Sequence, residues 1–145
     1  MATIIFLRRG RRWAVANPFP VLAGVVAVYH WAIVVLYMSG RAVSAFPPFR
    51  AETPHAIVTS AAVPMFHGAA AVLLVAGLAF RGHWRMQAAA FSAGVCGGYV
   101  GILALSVASR TAKVSWGWPV TAAIPLAIAV FVVLGWGADD ADSAG

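Results

Sequence analysis

Of the 145 residues, 62% are hydrophobic and 10% charged, where soluble globular domains run at about 45–50% and about 25%. Ten basic and four acidic residues give a net charge of +6, yet every one of them falls outside four uncharged windows, Trp13–Gly40, Thr53–Phe80, Met86–Ser109 and Val114–Ala138. That segregation excludes a water-soluble catalytic domain. It also makes the basic excess a marker of orientation and lipid contact rather than a nucleic-acid footprint, so nucleic acid is not expected as a partner.

A helix rising 1.5 Å per residue needs about 20 apolar residues to cross about 30 Å of hydrocarbon. The windows therefore predict an all-α, polytopic integral membrane protein. Its four transmembrane helices, at about 18–39, 57–80, 86–109 and 115–137, form an antiparallel up-down bundle. The whole chain reads as one membrane domain with tails and loops.

Residues 1–12 form a basic tail whose Arg8, Arg9, Arg11 and Arg12 are expected at lipid headgroups. The first span opens on Asn17, Pro18 and Pro20, and proline in a first helical turn forfeits no hydrogen bond. Its apolar stretch is about twice the 7–15 residues of a secretory signal, and three more spans follow, so it is read as a retained helix. The loop at 41–56 is the longest, and Pro47, Pro48 and Pro54 deny it a regular helix. Phe46 and Phe49 within it are expected to dip into the interface.

The second span carries Pro64 near its start, and the turn to the third is short enough to make the two an antiparallel hairpin. Arg81 and Arg85 in that turn are further headgroup contacts, as is His83. In the third span Ala90, Gly94 and Gly98 recur every fourth residue, and so do Ala93, Gly97 and Gly101. Such small-xxx-small spacing lets helix backbones approach closely where water supplies no hydrophobic drive. Packing inside the bundle is expected to use this face, ahead of a dedicated dimer interface. The fourth span holds Pro125, predicted to kink it, and residues 139–145 form an acidic, solvated tail.

Six basic residues flank the ends shared with the termini, against Arg41, Arg50, Arg110 and Lys113 at the opposite ends. The positive-inside rule then places both termini in the cytoplasm and the chain in the cell's inner membrane. Trp13, Trp84 and Trp136 fall near the inner boundary and Trp116 and Trp118 near the outer one, as amphipathic rings prefer.

An ionisable side chain inside a membrane is a functional candidate by default. His30 and His67 lie about ten residues from the outer ends of their spans, with Tyr99 at a similar level, so the three are expected as one intramembrane polar layer. The preferred reading is a set of interhelical hydrogen bonds without a cofactor; the alternative is haem b held between His30 and His67 as axial ligands. Proton or ion conduction lacks an acidic partner, since no Asp, Glu, Lys or Arg falls within a window. Glu52 and His55 fall short of a zinc site, Cys96 is the single cysteine, and no metal site or catalytic residue is expected.

The expected function is that of a small, non-enzymatic membrane protein acting through helix–helix association. It would be a homo-oligomer, a subunit of a membrane complex, or a permeabilising oligomer. In size, in several short spans and in charged tails the chain resembles phage holins, a likeness of architecture that implies large oligomers and toxicity to the host. A haem-bearing electron-transfer subunit is the alternative.

Overall fold

A computed structural model describes residues 17–40, 60–80, 83–109 and 116–142. They form α1 (Pro18–Met38), α2 (Ala62–Ala79), α3 (His83–Ala108) and α4 (Gly117–Asp142). Each is long and apolar enough to cross a membrane. The bundle is up-down and closed: α1 packs on α2, α2 on α3, α3 on α4, and α4 back on α1. The end carrying Pro18, Ala79 and His83 is termed proximal, and the end carrying Met38, Ala62 and Gly117 distal.

Local chemistry sets the boundaries. Pro18 and Pro20 fall in the first turn of α1, and Gly40 follows its end at φ 71°, a left-handed conformation that closes a helix at little cost for glycine. The second helix begins at Ala62 rather than near residue 57; residues 57–59 lie outside the described set. Pro64 falls in its first turn, where no intrahelical donor is lost. At the other end of α2, Phe80 turns extended (φ −105°, ψ 119°) and leads into the hairpin. The third helix starts at His83, three residues before the expected 86, and α4 runs to Asp142 with Pro125 inside it.

The outer surface of the bundle is apolar as well as its interior. Val28, Met38, Met65 and Leu134 are each more than 60% exposed, whereas alanines and a few polar groups fill much of the interior. With lipid outside, large apolar side chains gain nothing by hiding, and small ones let helices close in. The proximal half is filled by Ala23, Val26, Leu74, Ala89, Val132 and Trp136, drawn from all four helices. The distal half has a smaller cluster of Val63, Tyr99, Leu103 and Ala122.

Two glycines fix the proximal packing. A Cβ on Gly135 would run into the ring of Phe19 from α1. On Gly77 it would come within 3.2 Å of the Arg85 Cα and 3.3 Å of the Ala88 Cβ, so α2 and α3 approach closely there. Trp136 departs from the expected interfacial position. It is 2% exposed, with the Arg85 guanidinium carbon 5.7 Å from its ring centroid. The cation and the ring satisfy each other between α3 and α4, so Arg85 is half-buried rather than spread among headgroups. Trp84, Trp116 and Trp118 are exposed at the helix ends, as amphipathic rings at a boundary should be.

Candidate functional site

His30 is set on α1 by the same face that buries Ala23, Val26 and Ala27, at spacings of seven, four and three residues. On α2 His67 shares a face with Val63, Ala70, Ala71 and Leu74. Both histidines are buried, at 0% and 1% exposure. Their helices turn them toward each other, and Nδ1 of His30 lies 2.8 Å from Nδ1 of His67. On the far side of the ring, Nε2 of His30 lies 2.7 Å from the Ser92 hydroxyl, with the Cys96 sulfur 3.8 Å away.

Tyr99 completes the set from α3. Its ring meets His67 edge-on, centroids 5.0 Å apart at 82°, a geometry favoured by the ring quadrupoles. The three side chains touch one another, in a column rather than in a single layer. Ser92 lies seven residues proximal to Tyr99 on the same helix, about 10 Å along the axis at 1.5 Å per residue. The polar groups form a column from Tyr99 through His67 and His30 down to Ser92. Tyr29 also joins, its ring 5.7 Å from His30 and 6.0 Å from His67.

Sequence reasoning missed Ser92, Cys96 and Tyr29 as neighbours of the histidines. A signal existed for two of them. Ser92, Cys96, Tyr99, Leu103 and Ser106 alternate at four and three residues and are all buried, the spacing of one helix seam. Tyr29 carries no such signal.

Proton arithmetic assigns the column a direction. A neutral imidazole carries one N–H. If Ser92 donates to Nε2 of His30, then His30 donates from Nδ1 to Nδ1 of His67, and His67 holds its hydrogen on Nε2. In the reverse arrangement His67 donates to His30 and His30 donates to Ser92. The serine hydrogen then has no acceptor among the described residues, and Nε2 of His67 is a bare lone pair. The first arrangement leaves one group unmatched and the second leaves two, so the first is favoured. That one group is the Nε2–H of His67, a buried donor without a partner among the described residues. The hydroxyls of Tyr29, Tyr37 and Tyr99 are likewise buried without a well-formed hydrogen bond.

The arrangement does not fit haem between the histidines. Imidazole nitrogens stand about 2 Å from a first-row metal such as zinc, so two axial ligands must be about 4 Å apart with the macrocycle between them. Here the facing nitrogens are 2.8 Å apart and bonded directly, and the ring centroids are 4.8 Å apart. Among the described residues no group of three His, Cys, Asp or Glu side chains is placed to hold a metal ion.

His67 borders an open groove. Between the distal halves of α2 and α3 lies a cavity of about 420 Å³, lined by Phe66, His67, Phe91, Gly94, Gly98 and Tyr99 among others. Phe91 separates it from a second hollow of about 600 Å³ toward the proximal end, where Leu73, Gly77, Trp84 and Gln87 form the walls. The two follow one another along the outer side of the hairpin.

The small residues of α3 divide between two faces. Ala93 packs against the proximal core and Gly97 approaches α4, where a Cβ would lie 3.7 Å from Leu126. Ala90, Gly94, Gly98 and Gly101 are exposed, and a Cβ built on Gly94, Gly98 or Gly101 meets nothing within 4 Å. Two of the six small residues thus pack inside the bundle, and four face outward. Arg8, Arg9, Arg11, Arg12 and Arg81 lie outside the described residues. Compared with protein-family models, with curated proteins and with solved structures, the chain matches none.

Proposed function

We propose that this chain is a non-catalytic membrane protein that works by self-association, through the outward small-residue face of α3 and the groove beside it. One observation carries the reading. Ala90, Gly94 and Gly98 form a four-residue register that the chain's own packing leaves uncovered, and in lipid such registers admit a second helix at close range. The two hollows span the hairpin from Trp84 to Ile102, about 27 Å at 1.5 Å per residue, which is nearly the thickness of the hydrocarbon. A groove of that length is matched to a transmembrane helix.

The absence of Asp, Glu, Lys and Arg from the four windows supports a role without chemistry. Basic residues concentrated in the N-terminal segment and the α2–α3 turn support cytoplasmic termini in the cell membrane. Both a subunit role and a holin-like permeabilising assembly follow from association; the second adds leakage of vesicles loaded with a small dye. The test is the mass of the assembly in lipid nanodiscs. Wild type should exceed one copy, and Gly98→Leu should return it toward the monomer. A monomeric wild type, or a variant that assembles unchanged, overturns the reading.

A further inference from the structure

The groove has an open register and one unmet hydrogen-bonding group, and together they describe what should fill it. His67 is 1% exposed, lines the distal cavity, and has Nε2 without a partner among the described residues. The proton arrangement favoured by the column behind it makes Nε2–H a donor; the atom is covered within a single copy, so an occupant meets it as the ring turns toward the groove. The occupant must therefore present an oxygen acceptor at the depth of His67, on a helix surface otherwise apolar.

The chain carries such a surface itself. On α4, Val120 and Ile124 are 66% and 60% exposed, and Thr121 between them is exposed too. Thr121 gives its only hydroxyl hydrogen to the Gly117 carbonyl, 2.7 Å away, so its Oγ1 lone pairs remain free to accept. Four residues on, Pro125 has no N–H, which leaves the Thr121 carbonyl without its usual intrahelical donor. Two acceptors thus coincide at one lipid-facing residue. A hydroxyl or carbonyl in hydrocarbon is costly unless it is paired.

The depths agree. Both α2 and α4 descend from the distal end, and His67 lies five residues past Ala62 while Thr121 lies four past Gly117. At 1.5 Å per residue these are about 7.5 Å and about 6 Å, and a helix carbonyl points on toward the C-terminus. Copies embedded in one membrane with one orientation keep their residues at matching depths.

We propose that the groove between α2 and α3 receives α4 of a second copy, with the partner copy's Thr121 accepting the hydrogen bond from Nε2–H of His67. This rests on the self-association read above and names its partner surface. The contact joins two different patches, so a pair still has one free α4 face, on the copy whose groove is filled, and one free groove, on the copy that fills it. Association is head to tail and continues beyond a dimer, into rings or open arrays. The hydrogen bond fixes depth and register, while the glycine face supplies the close approach.

Cysteine cross-linking in the membrane tests this. In a Cys96→Ala background, Phe66→Cys marks the groove rim and Val120→Cys the α4 face at matching depth. Neither single variant should cross-link to itself on oxidation, a mixture of the two should give a dimer, and the double variant a ladder of higher multiples. Thr121→Val should weaken assembly about threefold, the equivalent of an average intramembrane hydrogen bond. If wild type assembles and Gly98→Leu abolishes assembly, but Gly98→Cys links to itself and the mixture gives no dimer, the pairing is α3 on α3. The head-to-tail proposal then falls while self-association stands. If wild type is monomeric, both fall together.

Discussion

The two halves of the bundle use the same kinds of helix surface to opposite ends. In the proximal half the inward surfaces are spent on one another, with the hollow there lying along the outer side of the hairpin: Phe19 lies against Gly135, Gly77 against Arg85 and Ala88, and Trp136 is buried with Arg85 beside it. In the distal half a buried histidine pair beside an open groove leaves Nε2 of His67 without a partner among the described residues, and the Tyr29 hydroxyl is buried without one as well. Close packing permits few alternatives, so the proximal half is a clamp. The distal half keeps unmet polar groups and uncovered glycines, and binding belongs where interactions are left unmade.

Breaking the clamp should have the largest effect. Gly135→Val puts a branched side chain into the Phe19 ring, and overpacking of this kind costs typically 1–3 kcal/mol. The expected result is a thermal unfolding midpoint well below wild type in the same detergent, and an unchanged midpoint would deny the Phe19 contact. Next comes the histidine pair. His30→Ala removes the ring that joins Ser92 to His67 and leaves both without that partner, at about 1–3 kcal/mol for a stranded buried polar group. His30→Gln, which can offer both a donor and an acceptor, should recover part of the loss in the same measurement.

A smaller effect is read by spectroscopy. The hydrogen-bond accounting assigns His67 its proton on Nε2 and His30 on Nδ1, which nitrogen chemical shifts of labelled protein in bilayers distinguish directly. Ser92→Ala removes the hydroxyl that orders the column, so the two tautomers should then mix, with only about 0.6 kcal/mol of stability lost. A fixed tautomer in that variant would show that Ser92 does not set the direction. The protein purified from a haem-supplemented host should show no Soret band. A band lost in both His30→Ala and His67→Ala would mean that the rings part to admit a macrocycle.

The spans were legible because charge is excluded from hydrocarbon at high cost, a rule written residue by residue in the sequence. Depth was legible too, since helices rise at a fixed rate, and His30 and His67 do meet. Facing was much harder to read. Helices that are apolar all round give little sign of which side turns inward, so the division of Gly97 from Gly98, one inside and one out, could not be read from their shared spacing. Trp136 shows the same limit: its place near a boundary was clear, and its burial depended on Arg85 arriving from another helix. The four-and-three spacing from Ser92 to Ser106 was the one inward-facing signal available.

The adjacent glycines Gly97 and Gly98 allow association through the outer face of α3 to be tested within one turn of helix. Assembly in nanodiscs and thermal unfolding should be measured together for Gly97→Leu and Gly98→Leu. The first should lower the unfolding midpoint through its clash with Leu126. The second, facing open space, should keep the wild-type midpoint and lose assembly. Retained assembly in a folded Gly98→Leu protein would contradict association through this face.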